Sequence, residues 1–390
     1  MADDLKRERV SKMQRYWIWY AMLTELSTHQ KLDLLERFST PEEIYRAEVL
    51  PDGTRLNKDL QRALMVQQVC KRKNIGILNI CDGRYPVRLR NIADPPLVLY
   101  CKGILPQWEL QPAIGVVGTR RATPYGRDMA KELSAQIAQC GGLVISGAAS
   151  GIDACALNGA LETGATAVAV LGCGVDIVYP TTNRRLFMEL EAKGCILSEY
   201  PPGTGPKPWH FPARNRIISG LCNGVLVVEA PQKSGALITA RNAANQGRDL
   251  FVVPGNIDME TCQGSNALLR DRATAVFSGW DVLCDYREQY PKVVRPQQSK
   301  IPVAKKKQAE PDKKDIDIPV PKPYSVIENT KDELTEQEQK LLSCVDRTPM
   351  PMDAVVAAAH IPVQEALRLL TKLALSGHVV NHPGKLISRK

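Results

Sequence analysis

The sequence predicts an α/β protein whose central part is a doubly wound parallel sheet. Six short apolar runs recur between residues 113 and 253, and a glycine-rich corner and an amphipathic helical pattern follow most of them. The runs lie at residues 113–117, 143–145, 167–171, 195–197, 225–228 and 250–253. Because continuously apolar strands that alternate with helices occur in parallel sheets covered on both faces, we expect an extended Rossmann-like domain here.

The chain before this sheet has a different pattern. Residues 17–70 have apolar residues at helical spacing, with Leu32, Leu35 and Phe38 on one face. Thr40 is followed by a proline, which is typical of a helix N-cap and first turn. We therefore predict a helical domain over residues 1–74, similar to the SAM or helix-hairpin-helix type. The Rossmann-like domain then covers residues 75–290, where turn signals and short apolar runs replace the helical spacing.

Two further segments follow the sheet. Residues 291–331 carry ten basic and five acidic side chains, many prolines and a lysine run at 305–307, which predicts a flexible basic linker. Residues 332–390 show three short helical patterns and a hairpin pattern, which predicts a winged helix. Its seven basic and seven acidic residues cancel, so a protein-contact or regulatory role is favoured over reading of duplex DNA.

Composition excludes several classes of protein. The 390 residues are 44% hydrophobic and 24% charged, close to ordinary globular values, with a net charge of +9. The most apolar stretch near the start, residues 17–23, is far shorter than the ~20 residues that span a membrane. The 11 cysteines include no Cys-x-x-Cys pair, and there are only five histidines. We therefore expect a cytoplasmic protein with free thiols, no metal, no cofactor and no membrane partner.

Ligands of such sheets bind at the carboxyl ends of the strands, where helix N-termini attract anions. The corner after the first apolar run reads Gly118-Thr119-Arg120-Arg121. Glycine lets the backbone approach a ligand, and arginine offers a forked donor pair for phosphate. Arg120 is the strongest candidate contact. Alternatively, one of the two arginines pairs with a helix carboxylate. Gly147 lies in the corner after the second run.

A second candidate segment runs from Lys207 to Arg216 and places aromatic residues beside cations. Single-stranded nucleic acid binding requires this combination, because bases stack on rings while cations hold the backbone. Phe211 either stacks on a base or plugs the core. The helical step of ~100° puts Arg214 on the buried side, next to Asn215, and Arg216 nearly opposite. We expect Arg214 to reach over the sheet edge into the pocket, and Arg216 either to contact DNA further out or to be structural.

The third candidate is the helix start at Lys233-Ser234-Gly235, with Thr239 one turn further on. Backbone donors and a lysine meet here, as an anion site requires, although a plain N-cap with a solvated lysine explains the same residues. No nucleophile elbow or P-loop motif occurs in the sequence, and His210 is the one histidine of the predicted sheet domain. Glu229 is as consistent with a buried helix cap as with a base. No catalytic centre is therefore predicted.

Taken together, these corners form five motifs in a fixed order. They are Gly118-Thr119-Arg120; Ser146-Gly147 with Gly151-Ile152-Asp153; Gly172-Cys173-Gly174 with Asp176, Tyr179-Pro180 and Asn183; Phe211-Pro212 with residues 214–221; and Glu229-Ala230 with Ser234-Gly235 and Leu237-Ile238-Thr239. The set resembles the DNA-processing family called DprA or Smf, strongly over residues 75–290 and loosely on either side.

The resemblance implies a homodimer of natural transformation that binds and protects incoming single-stranded DNA and helps to load the RecA recombinase. It places a DNA-contacting arginine at Arg120, and stacking and cationic positions near Lys207, Phe211 and residues 214–216. One position departs from the family. Many relatives carry a lysine after the Tyr-Pro pair, whereas Thr181 follows here and the nearest cations are Arg184 and Arg185.

Two alternatives remain open. The sheet is also similar to phosphoribohydrolases of the Lonely-guy type, which place a catalytic glutamate just beyond a glycine-rich loop. Residues 230–248 contain no acidic residue, so such an enzyme lacks its proton carrier here and ranks below DNA binding. The other alternative is a nucleotide-sensing module that holds one small phosphate ligand in the same corners.

Overall fold

The computed structural model describes residues 2–51, 53–271, 273–296, 335–346, 348–359, 361–382 and 386–389. The chain divides into two units, residues 1–303 and 304–390, each with its own core. Most of the predicted linker, from residue 297 to 331, lies outside the described residues, as do residues 332–334 of the predicted winged helix and the lysine run at 305–307.

The first unit begins with four helices. They are α1 (Ala2–Met22), α2 (Thr28–Phe38), α3 (Pro41–Arg46) and α4 (Gln61–Arg72). The N-cap predicted at Thr40 is confirmed, because its side chain accepts a hydrogen bond from the Glu43 amide at 3.3 Å. Tyr20 and Ile44 are fully buried between these helices. Across the described residues, no helix combines the length and the apolar character needed to cross a membrane.

A nine-stranded sheet follows. Its strands are β1 (Gly76–Asn79), β2 (Val98–Gly103), β3 (Ala113–Val117), β4 (Leu143–Ser146), β5 (Ala167–Val170), β6 (Cys195–Ser198), β7 (Gly224–Val227), β8 (Asp249–Val252) and β9 (Thr274–Ala275). The connecting helices are α5 (Val87–Arg90), α6 (Pro124–Gln139), α7 (Ile152–Glu162), α8 (Arg184–Lys193), α9 (His210–Leu221), α10 (Gly235–Asn245), α11 (Gln263–Arg270) and α12 (Gly279–Leu283). Short 3-10 turns cover Thr181–Asn183, Glu260–Cys262 and Cys284–Tyr286.

The strand order is β1-β2-β6-β5-β4-β3-β7-β8-β9. All neighbours from β6 to β9 are parallel, whereas β1 and β2 join antiparallel at one edge. The predicted α/β fold with a largely parallel sheet is confirmed, and the six apolar runs are β3 to β8. The chain moves outward from β3 through β4, β5 and β6 and then returns to β7 on the other side of β3. The carboxyl ends of β3 and β7 are therefore the topological switch point, where ligands of such sheets bind.

The second unit has the elements of a winged helix. They are α13 (Glu336–Ser343), β10 (Met350–Pro351), α14 (Met352–Ala359), α15 (Val363–Leu375), β11 (Val379–His382) and β12 (Leu386–Arg389). β12 lies between β10 and β11 in a small antiparallel sheet. Leu341, Val355, Ala366 and Ile387 are fully buried in its core. The turn of the predicted hairpin, residues 383–385, lies outside the described residues.

Candidate nucleic-acid interface

A cleft of about 570 Å³ opens at the switch point of the sheet. We call it the primary cleft. The loop after β3, the loop after β7 and the first turns of α9 and α10 form its walls. Most of the predicted site residues line it, namely Gly118, Thr119, Arg120, Arg121, Phe211, Arg214, Asn215, Lys233, Ser234, Gly235 and Thr239. Gly147 lines a small adjoining cavity, whereas Lys207 and Arg216 line neither space.

Close backbone packing fixes the loop after β3. The Thr119 amide donates to the Glu229 carbonyl at 2.7 Å, which ties this loop to the end of β7. Gly151 has φ of +79°, and a Cβ atom there would lie 2.4 Å from the Thr119 carbonyl oxygen. Only glycine meets both demands. The backbone of this loop is therefore held against the start of α7, while the side chain of Arg120 in the same loop is exposed.

Arg120 and Phe211 meet in the primary cleft. The guanidinium carbon of Arg120 lies 5.1 Å from the centre of the Phe211 ring, within the range of a cation–π contact. The Tyr179 ring lies on Phe211 as well, with centroids 5.5 Å apart and planes tilted by 33°. Phe211 is half-buried and lines the cleft, and Tyr179 is 39% exposed. The cleft thus combines an aromatic surface and an exposed cation at one place.

Arg214 forms part of the floor of the cleft. Its side chain is only 4% exposed, and Nη1 donates to the carbonyl oxygens of Gly147, at 2.8 Å, and Val170. Burial lowers the pKa of Arg214, and the nearby Asp153 carboxylate opposes this shift. Burial likewise raises the pKa of Asp153, opposed by Arg214 and by the Ala149 amide. Arg214 therefore reaches the cleft, as the sequence predicted, while Nη1 binds the ends of β4 and β5.

Arg216 is held by two carboxylates. Its guanidinium pairs with Asp94 at 2.8 Å and with Glu199 at 2.7 Å, and the side chain is 18% exposed. Lys207 lies on the surface outside the cleft. Its ammonium nitrogen is 5.4 Å from the ring of Trp209, which is 65% exposed. Lys207 and Trp209 thus form a separate exposed cation–aromatic pair just before α9.

The start of α10 contributes backbone donors. Ser234 is the N-cap, because its hydroxyl accepts a hydrogen bond from the Ala236 amide at 3.2 Å. Asn215 Nδ2 donates to the Gly235 carbonyl at 3.2 Å and so joins α9 to α10. Lys233 is exposed and has no ion pair among the described residues. Thr239 is 1% exposed and lines the cleft, and its hydroxyl has no hydrogen-bond partner within the described part of the chain.

Two candidate catalytic side chains are used structurally. Glu229 is fully buried, and its carboxylate accepts from the Thr123 amide at 3.0 Å and from the Thr123 hydroxyl at 2.5 Å, which caps the start of α6. His210 Nδ1 lies 3.0 Å from the Gly172 carbonyl oxygen, and its ring stacks on Tyr200 at 3.9 Å. No cluster of three or more potential metal ligands occurs among the described residues.

Sequence reasoning missed the part that Tyr179 plays. The Tyr-Pro pair stood out as a motif, but its stacking on Phe211 depends on the tertiary fold.

Asn183 Nδ2 donates to the carbonyls of Ala148 and Ala149 at 3.1 and 3.4 Å, which joins the start of α8 to the adjoining loop. Of the two nearby arginines, Arg185 pairs with Glu189 at 3.1 Å, while Arg184 is exposed and unpaired within the described ranges.

Comparison with known proteins decides the family. The family model described as DNA recombination-mediator protein A matches residues 76–287, and the model of the DprA winged helix domain matches residues 328–385. The chain belongs to the DNA recombination-mediator protein A family. Family members that match it are named DNA processing protein DprA or protein Smf. The family likeness covers the whole switch-point region and extends to the second unit.

Individual family members match over most of their length. Protein Smf of Synechocystis is 35% identical over 332 residues, which cover 82% of this chain and 81% of that protein. The X-ray structure of DprA from Streptococcus pneumoniae superimposes with a TM-score of 0.60 at 35% identity, covering 70% of this chain and 97% of that one. A structure of the Helicobacter pylori protein, described as giving its single-stranded DNA binding mode, has a TM-score of 0.50 at 30% identity, covering 55% and 97%.

Proposed function

We propose that the primary cleft binds single-stranded DNA. The observation that carries the proposal is the contact of the Arg120 guanidinium with the Phe211 ring, 5.1 Å away, inside the cleft. An unpaired base stacks on an aromatic ring, and a cation beside the ring neutralises the neighbouring phosphate. The relative from Helicobacter pylori is described with a single-stranded DNA binding mode, which supports the same ligand here.

The other walls of the cleft suit a polyanion. Lys233 and the start of α10 stand at the cleft, and a helix N-terminus carries a partial positive charge and free amide groups. Among the residues that line the cleft, Asp153 is the acidic one, and it is buried beside Arg214. The exposed charge at the cleft is therefore positive.

Hydrolysis is the weaker candidate for this cleft. The buried Glu229 carboxylate is occupied by Thr123, and residues 230–248 supply no other acid. A group that transfers a proton needs to reach the reacting atom, and neither Glu229 nor His210 lines the cleft. We therefore assign binding, and no chemical step, to this site.

We further propose the cellular role that the family likeness implies. Two copies of the chain pair in the cytoplasm, protect incoming single-stranded DNA and deliver it to RecA during natural transformation. Pairing joins two short grooves into one site of higher avidity, because the second groove binds at high effective concentration. Light scattering of the purified chain tests the pairing. RecA filament assembly on strands coated with a single-strand binding protein tests the delivery, and equal rates with and without this chain would contradict it.

A competition assay tests the ligand. A labelled oligothymidylate bound to the protein is challenged at fixed salt with the unlabelled oligomer, with duplex DNA of equal length and with a mononucleotide. We expect the unpaired strand to compete best, because paired bases are not free to stack on Phe211. A mononucleotide that displaces the oligomer at comparable concentration would favour the nucleotide-sensing module. Equal competition by duplex DNA would contradict the proposal that a base stacks on Phe211.

A further inference from the structure

A second cleft lies at the end of α4, and Lys73, which lines it, pairs with Asp176 in the loop that carries Tyr179. This cleft has a volume of about 1000 Å³, larger than the primary cleft. The end of α4, the antiparallel pair of β1 and β2, and the end of α8 line it. We call it the lysine cleft, because its charged lining residues are Lys71, Lys73, Arg84, Lys102 and Glu191. None of these side chains takes part in the primary cleft.

The exposed charge of the lysine cleft is mostly positive, because its lining holds four cations and one carboxylate. Lys102 and Glu191 form an ion pair across 2.5 Å, in which the carboxylate is the more exposed partner, at 41% against 24%. The Lys73 side chain is 52% exposed, whereas its partner Asp176 is only 5% exposed. Arg84 is likewise 67% exposed, whereas its partner Asp82 is 21% exposed. In both pairs the acid lies deeper than the cation, so that the ammonium and the guanidinium face the solvent.

Lys71 adds a further cation to this surface. It is exposed in the last turn of α4 and forms no ion pair within the described ranges of the chain. Three exposed cations, Lys71, Lys73 and Arg84, therefore line one concave surface. The residues that line it include isoleucine and leucine side chains but no aromatic ring. This surface suits a phosphate backbone but offers no ring for a base to stack on.

One loop joins the two clefts. Asp176 accepts from Lys73 at 2.6 Å and from the Gly203 amide at 2.8 Å, which fixes the start of the loop beside the lysine cleft. Tyr179, three residues further on, stacks on Phe211 in the primary cleft. Because three extended residues span at most ~11 Å, Asp176 and Tyr179 lie close together on the scale of a polynucleotide.

We propose that the lysine cleft is a second binding site for the phosphate backbone of the single strand held in the primary cleft. The strand leaves Phe211, crosses the loop at Tyr179 and lays further phosphates against Lys71, Lys73 and Arg84. This inference rests on the proposed function. It adds that the helical N-terminal region takes part in binding, that the footprint is longer than the primary cleft, and that the added contact is insensitive to base sequence.

Oligomer length separates the two clefts. Single-strand binding folds have site sizes of ~4–16 nucleotides. We therefore expect a short oligothymidylate of about six nucleotides to fill the primary cleft alone, and one of about 30 nucleotides to reach both clefts. Dissociation constants are measured for both lengths at salt concentrations from about 50 to about 200 mM, a range of about fourfold. The variants are Lys71→Gln and the double variant Lys71→Gln/Arg84→Gln. Arg62→Gln is the matched control, because Arg62 is exposed at the opposite end of the same helix α4 and does not line the lysine cleft.

We expect Lys71→Gln to weaken the long oligomer about threefold and the double variant about tenfold, with the short oligomer unaffected. The slope of log affinity against log salt for the long oligomer falls by about 0.7 for each phosphate that the protein no longer neutralises. Unchanged affinity of both variants for the long oligomer overturns this inference and leaves the proposed function standing. An equal loss for both lengths, or an equal loss with Arg62→Gln, also overturns it. Failure of the unsubstituted protein to bind either length contradicts the proposed function instead.

Discussion

Removal of the Arg120 guanidinium is the sharpest perturbation of the primary cleft. The side chain is exposed, has no ion pair among the described residues and lies over the Phe211 ring. Arg120→Ala therefore leaves the fold intact and deletes one charge-assisted phosphate contact. Such a contact is worth about 1–3 kcal/mol, which corresponds to a loss in affinity of roughly 5- to 150-fold.

The contact between Arg120 and Phe211 makes a further prediction about the double variant. Phe211→Ala removes one stacked base, also worth about 1–3 kcal/mol. Because the ring supports the guanidinium in the free protein, loss of the ring also loosens the arginine. The two losses therefore overlap, and the double variant loses about 0.5–1 kcal/mol less than the sum of the single variants.

Fluorescence anisotropy with a labelled oligothymidylate at fixed salt measures the affinity of five proteins: the original chain, the two single variants, the double variant and a control. Circular dichroism checks that each is folded. Arg121→Ala is the control, because Arg121 lines the same cleft but has no ring contact among the described residues. We expect it to lose less than about 1 kcal/mol. If the affinity of Arg120→Ala stays within twofold of the original, or if Arg121→Ala has the larger effect, the geometry assigned to the cleft is refuted.

Three other predictions concern stability. Gly151→Ala forces an alanine into φ of +79° and against a carbonyl oxygen. We therefore expect urea unfolding to show a loss of at least about 1 kcal/mol in the free energy of unfolding, and we expect DNA binding to be weaker. An unchanged unfolding midpoint contradicts this. Arg216→Met leaves the Glu199 carboxylate without its partner and costs about 2–4 kcal/mol of stability, while the folded variant keeps its affinity for single strands. In the second unit, Lys372 holds the pKa of Glu338 at about 2, below its usual 4.5. Since the pKa of Glu338 is lower in the folded state than in the unfolded state, the ion pair stabilises the fold fully above about pH 4.5, and this stabilisation is lost as the pH falls towards about 2. The difference in melting temperature between the original chain and Glu338→Gln should therefore shrink in acid. A constant difference would contradict the ion pair.

Apolar runs predicted the parallel strands because β3 to β7 are buried along their whole length. The edge strand β9 escaped the sequence because both of its residues, Thr274 and Ala275, are exposed and carry no apolar signature. The antiparallel direction of β2 also lay beyond the sequence. Runs of apolar residues mark a strand, but only the path of the chain between strands decides how two of them pair.

In the candidate site as well, the sequence located some residues correctly and left the contacts of others open. The rule that ligands bind at strand ends located Arg120, Phe211 and the start of α10 correctly within one cleft. The helical step correctly put Arg214 on the buried side. The partners of Arg216 were beyond reach, because Asp94 lies 122 residues away along the chain and Glu199 lies on the strand-end segment after β6. Ion-pair partners so distant along the chain depend on the tertiary fold, so the local sequence pattern left the role of Arg216 open.

The most direct test of the central claim is to map where an unpaired strand touches the protein. An oligothymidylate that carries 5-iodouracil is bound to the full chain, cross-linked by light and located by peptide mass spectrometry. We predict that the main cross-links form on Phe211 and Tyr179, the rings that meet in the primary cleft. Cross-links confined to the second unit, or to any surface of the first unit away from this cleft, would contradict the account.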